Sequence, residues 1–165
     1  LLEVGQPHKI QVRVVASITN SLQTELASNS FTYTVTPYSP PPKIDPPATG
    51  ELFLQGGDPL LGAWSIPVPV ANKFTQVTPT DYQLTVALSG GDPTNSNSSD
   101  QYLLLGDNSC YDIKYACVNT STQPFSGGSF GIGGNYGANF PGPTAAGTYL
   151  FDVNFQTGII TITKQ

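Results

Sequence analysis

The stretch GGNYGANFPGPTAAGTYLFDVNFQTGIITITK, residues 133–164, decides the fold class. A loop of glycine, asparagine and proline leads into two runs, 148–155 and 159–163, whose apolar, aromatic and β-branched side chains suit a pleated, half-buried surface. Gln156-Thr157-Gly158 separates them. It is short enough for a hairpin turn, and its glycine stands last, where a positive φ is usually required. The pattern is a closing β-hairpin entered from a loop stiffened by proline.

Working back from that hairpin, the same strand-and-turn grammar covers most of the chain. Strands are expected at 8–18, 30–36, 51–55, 73–77, 82–88, 101–105 and 111–118. Turn clusters fill 90–100 and 126–143, and 19–29 is polar and loop-like. No amphipathic helical stretch of ten or more residues stands out. The 165 residues include 17 glycines and 15 prolines, no methionine, and only 10% charged side chains, a composition that fits an all-β protein with many turns. Six prolines within 37–47 form a stiff, extended segment that cannot join a central strand. They divide the chain into strands at 1–38, a proline-rich linker at 39–48 and a β-sandwich at 49–165. The first segment reads as the last two strands of an immunoglobulin-like or fibronectin-like sandwich. Its opening reads as mid-domain sequence, so the chain is expected to be part of a longer one.

Charge narrows the classes of partner. The net charge is −5 and the six basic residues are scattered, so nothing offers a basic stripe to nucleic acid or to an anionic membrane. A neutral partner such as a glycan suits this surface better. Cys110 and Cys117 have six residues between them, a spacing a hairpin can bridge as a disulfide in an oxidising compartment. With His8 the only histidine, neither a metal nor a cofactor is expected. The oxygen-rich segment 92–100 lacks the spacing of a helical calcium loop and reads as a solvated hairpin loop. Asp81, Asp107, Asp112 and Asp152 are carboxylates, but no spacing among them selects a catalytic pair. A non-catalytic protein is therefore expected.

Four segments, in order, carry a resemblance: VRVVASITNSLQTELASNSFTYTVTPY (12–38), ELFLQGGDPLLGAW (51–64), QYLLL (101–105) and GGSFGIGGNYGANFPGPTAAGTYLFDVNF (127–155). Together they resemble the SusE- and SusF-type surface lipoproteins of Bacteroidetes, in which an immunoglobulin-like domain precedes starch-binding sandwiches. The resemblance implies a protein held at the outer membrane by an N-terminal lipid anchor, where it binds polysaccharide beside a SusC/SusD-like import complex. It implies that aromatic rings stack on the apolar faces of sugars, with hydrogen bonds from polar neighbours. Trp64 matches the family's tryptophan in the opening motif. Two departures mark this chain: 101–105 lacks the family's strand lysine, and a second tryptophan after it is missing. Tyr111, Lys114 and Tyr115 stand nearest as a replacement platform, and Asn135, Tyr136 and Asn139 are candidate hydrogen-bonding groups in the glycine-rich loop. The alternative expectation is a structural or protein-docking module, with the apolar loop GAWSIPVPV (62–70) as its contact surface.

Overall fold

The computed structural model describes residues 2–17, 25–38, 40–91, 101–118, 125–133 and 138–165. It divides into two compact units, Leu1–Pro41 and Pro42–Gln165. The division falls inside the proline-rich stretch, as the extended φ of consecutive prolines requires.

The first unit consists of two antiparallel ribbons. β1 (His8–Val12) pairs with β4 (Phe31–Val35), and β2 (Val15–Ser17) pairs with β3 (Glu25–Ala27). The run 8–18, expected as one strand, breaks at Arg13-Val14, where Val14 exchanges hydrogen bonds with Ser28: its N–H donates to Ser28 Oγ and its carbonyl accepts from Ser28 N–H. β3 lies in the stretch expected to be a loop. In the β1–β4 ribbon the register sets Ile10 opposite Tyr33 and Val12 opposite Phe31, so these four share one face. That face is open, with Phe31 64% and Tyr33 57% exposed. A two-stranded ribbon is at best marginally stable in water. Every core residue among the described ones lies between Leu52 and Ile162. A chain shortened to residues 42–165 is therefore expected to fold on its own and to give a cooperative thermal melt by circular dichroism. A gradual, non-cooperative melt would show that this unit does not form its core alone.

The second unit is a curled, nine-stranded antiparallel sheet that closes on itself as a β-sandwich. Its strands are β5 (Phe53–Gly56), β6 (Thr75–Thr78), β7 (Asp81–Leu88), β8 (Gln101–Leu105), β9 (Lys114–Cys117), β10 (Gly127–Ile132), β11 (Phe140–Pro141), β12 (Gly147–Asn154) and β13 (Ile159–Lys164). One half runs β6-β7-β12-β13. The other contains β5, β8, β9 and the short β11. β10 joins them: Gly127, Gly128 and Ser129 pair with β13, and Phe130, Gly131 and Ile132 pair with β9. The closing hairpin forms as the sequence reading expects. Gly158 has φ 67° and the Asn154 side chain accepts the Thr157 N–H at 2.8 Å, which fixes the turn.

Alternation explains the core. β7 buries Tyr82, Leu84 and Leu88, and β12 buries Tyr149, Phe151 and Val153. Both meet Leu54, Tyr102, Leu104, Tyr115 and Phe130 from the other half. Tyr102 lies parallel to Phe140 at 5.0 Å and edge-on to Phe151 at 5.2 Å, so rings from both halves interlock. The linker expected at 39–48 packs against this sandwich from Lys43 onward. The N–H groups of Lys43 and Ile44 donate to Gln156 and Phe155, Ile44 packs on the core, and the Tyr115 hydroxyl donates to the Asp45 carbonyl at 3.0 Å.

Candidate functional site

β5 is buried on both faces, and this places the candidate site. Leu52 and Leu54 point into the main core, while Phe53 joins Leu103, Leu105 and Val68 in a second cluster on the outer side of the sheet. The excursion after β5 folds back over that outer cluster, and Trp64 packs onto it, half-buried. The excursion is anchored at Asp58, whose carboxylate accepts from Leu60 N–H at 2.8 Å, Ser89 N–H at 2.7 Å and Ser89 Oγ at 2.8 Å. A single 3-10 turn, Pro59–Leu61, follows that cap.

Trp64 is held in an unusual backbone. Ala63 and Trp64 are consecutive left-handed residues, with φ of 50° and 64°, a conformation that costs about 1–3 kcal/mol for each non-glycine residue. The surroundings over-determine it. Ala63 N–H donates to the Asp58 carbonyl, Trp64 N–H donates to Gly56 at 2.8 Å, and Gln55 Nε2 donates to the carbonyls of Trp64 and Ser65. Gln55 is fully buried, and its Oε1 has no hydrogen-bond partner among the described residues. Gln55 and Asp58 escaped the sequence reading, although a glutamine inside the apolar run ELFLQ was a signal that a buried polar group was needed there.

One of the other expected residues comes to the same face, and another lies in a loop tied to the excursion. Lys114 is the register partner of Leu105, which is itself opposite Phe53, so it shares their outer face with the cluster that carries Trp64. Tyr111 is 47% exposed in the loop before β9, and that loop is tied to the Trp64 excursion by Val68 N–H donating to the Asn108 carbonyl at 2.7 Å. Within this loop Asp107 accepts from both the hydroxyl and the N–H of Ser109, which holds its carboxyl below the usual range. The stretch 111–118, expected as one strand, is extended only over β9, which leaves Tyr111 in a loop where its ring faces solvent.

Tyr115 and Asn139 are engaged elsewhere. Tyr115 points the opposite way from Lys114, into the core among Phe130 and Phe155. Its hydroxyl is pushed well above the ordinary tyrosine range, chiefly by burial and further by Tyr82 and Asp45. It belongs to the packing and not to a sugar platform. Asn139 donates to the Gln101 side chain at 3.1 Å, joining the segment before β11 to β8. Asn135, Tyr136 and the segment 92–100 lie outside the described residues. Cys110 and Cys117, the expected pair, are not bonded to each other in this structure. Cys117 is at the far end of β9 with its side chain in the core, while Cys110 stays in the loop at the near end. A strand advances about 3.3 Å per residue and so carries the two apart.

Two of the carboxylates have hydrogen-bond partners on the sheet. Asp152 accepts from Gln83 Nε2 at 2.7 Å across β12 and β7, and Asp81 accepts from the Thr78 hydroxyl at 2.7 Å. Among the described residues no group of three or more His, Cys, Asp or Glu side chains is placed to hold a metal ion. No described helix is long and apolar enough to cross a membrane. The site is thus a tryptophan packed on the outer cluster of the β-sandwich, with Lys114 on the same face of the sheet and Tyr111 in a loop hydrogen-bonded to the Trp64 excursion. No family model, curated protein or solved structure matches the chain.

Proposed function

We propose that this chain is a non-catalytic glycan-binding protein of the cell surface, serving a SusC/SusD-like polysaccharide uptake system. The observation that carries the reading is Trp64, held rigid by its left-handed backbone and lying half-buried on the outer cluster, with Lys114 on the same face. A rigid ring offers contact area to the C–H face of a pyranose at low entropy cost, and a lysine nearby supplies donors for hydroxyls. Surface location and a lipid anchor follow from the family resemblance in segments 12–38, 51–64, 101–105 and 127–155. Affinity per site is expected in the micromolar to millimolar range, about −4 to −8 kcal/mol.

Affinity electrophoresis through gels containing starch, dextran, levan, xylan or mannan tests this directly. Retardation by one glycan, beside an inert control protein, is the expected result. Trp64→Ala should then weaken binding by more than about 1 kcal/mol. Because the ring is only half-buried, the variant should stay folded and lose about 1–2 kcal/mol of stability. Uniform migration of the native chain through every gel would remove the glycan reading.

A second reading has its own observation. The same excursion exposes Leu60, Ile66 and Val70, the last at 75%. Side chains of this kind suit a structural module that docks another protein of the surface assembly. In that case Val70→Asp would abolish retention by the assembled import complex, while Trp64→Ala would leave gel mobility in every glycan unchanged.

A further inference from the structure

A groove that does not include Trp64 lies on the sandwich. β12 and β13 set Tyr149 opposite Lys164, and the Lys164 Nζ stands 5.9 Å over the Tyr149 ring while donating to the Ala146 carbonyl at 3.0 Å. The Tyr149 hydroxyl donates to the Ala145 carbonyl at 2.7 Å, which fixes the segment before β12 as one wall. On the other side, Ile162 N–H donates to the Ser126 carbonyl at 2.7 Å and fixes Phe125, whose ring is 44% exposed. The resulting open groove of about 260 Å³ is lined by Phe125, Ser126, Thr144, Tyr149, Ile162 and Lys164.

We infer that this groove is a saccharide subsite, taking one pyranose unit of a neutral polysaccharide. The inference rests on the glycan-binding reading and deepens it by adding a second point of attachment. The lining has the two-sided chemistry a pyranose requires. Phe125 offers a flat apolar face to ring C–H groups, and the hydroxyls of Ser126 and Thr144 can both donate and accept. The Lys164 ammonium has three N–H donors, and among the described residues the Ala146 carbonyl takes one, which leaves two for sugar hydroxyls. The volume lies near the lower end of ligand clefts, about 300 Å³, which fits one sugar unit and not a long oligosaccharide. Charge selects a neutral sugar. Residues 42–165 hold four lysines against nine carboxylates, so a polyanionic chain is repelled by the domain as a whole. Two weak subsites on one domain would raise avidity for a polymer without tight binding at either.

The test uses the full chain in the same gels, with polygalacturonate added as an acidic glycan. Phe125→Ala and Lys164→Met each should lower affinity for the retarding neutral glycan by roughly fivefold or more. Both side chains are exposed, so unchanged thermal melts are expected and separate lost contact from lost fold. Trp64 is the only tryptophan and lies outside the groove, so its fluorescence response to saturating glycan should persist in both variants. Native retardation combined with native-like mobility of both variants would overturn the groove and leave the glycan reading standing. Selective retardation by polygalacturonate would overturn the neutral-sugar assignment. If the native chain migrates uniformly in all gels, both readings fall together.

Discussion

Gly127→Ala should destabilise the sandwich by about 3–5 kcal/mol, a large share of the 5–15 kcal/mol typical of a whole domain. Gly127 begins β10, the strand that passes from one half of the sandwich to the other, and its φ is 113°. A Cβ there would fall on the carbonyl oxygen of Ile160 and lie 2.8 Å from the carbonyl carbon. Those atoms cannot retreat, because β13 is hydrogen-bonded to β10 on one side and β12 on the other, and Ile160 itself is buried. The backbone contribution is about 1–3 kcal/mol and the overpacking about the same again. Gly158→Ala is the internal control. Its φ of 67° is the ordinary left-handed region, and the new methyl would meet only the Ile44 and Lys43 side chains, both at 3.2 Å, so about 1–2 kcal/mol is expected. Urea unfolding of the two variants should show midpoints well separated. Equal midpoints would mean that the β10 crossing yields without cost, and the account of how the sheet closes would be wrong.

The same glycine explains where sequence reading stopped. The strands legible in the sequence, β7, β8, β12 and β13, carry bulky or β-branched side chains with a clear inner face, so hydrophobic pattern and strand propensity agree. β10 reads GGSFGI and falls in a stretch whose glycines point to a turn cluster, since glycines normally break strands. Its glycines are required because the strand changes partners there, a long-range constraint that no local window contains. β3 and β11 were missed for a simpler reason: three and two residues give a periodicity nothing to repeat. The proline-rich segment gave the division between the two units. That residues 43–47 pack on the sandwich depends on Ile44 and on the Asp45 carbonyl meeting Tyr115, 70 residues away in sequence.

For the site, residue types were legible and their directions were not. Tyr111, Lys114 and Tyr115 sit within five residues and seemed interchangeable as a platform. The start of β9 at Lys114 decides among them: Lys114 goes to the outer face, Tyr115 to the core, and Tyr111 remains in the loop. A shift of one residue in that boundary would exchange Lys114 with Tyr115. Trp64 was singled out by the Gly-Ala-Trp motif, but its support by Gln55 and Asp58 comes from the fold. The groove at Phe125, Tyr149 and Lys164 draws on three distant segments, and no motif connects them.

Phe155→Ala should cost about 3–5 kcal/mol, near the upper end for a buried phenylalanine. Phe155 follows β12 and is fully buried, and its ring meets Tyr82 of β7 at 5.4 Å, Tyr115 of β9 at 5.0 Å and Phe130 of β10 at 5.1 Å, all edge-on. Such pairs contribute about 0.5–1.5 kcal/mol each beyond burial. The backbone of the same residue is equally committed, donating to Thr80 at 2.8 Å and accepting from Ile44 at 3.2 Å. The cavity left by the substitution cannot be relieved by water. The Tyr82 hydroxyl already accepts from Gln76 and the Tyr115 hydroxyl already donates to Asp45, so the new space would be lined by ring carbons and stay dry. Collapse is resisted as well, because the three neighbouring rings belong to strands paired elsewhere in the sheet. Phe155→Leu keeps most of the volume and should lose only about 1–2 kcal/mol, largely the edge-on contacts. Denaturant unfolding of the two variants separates these contributions. If Phe155→Ala costs no more than Phe155→Leu, the strap at Ile44 has moved inward to fill the space, and Phe155 does not join the two halves of the sandwich.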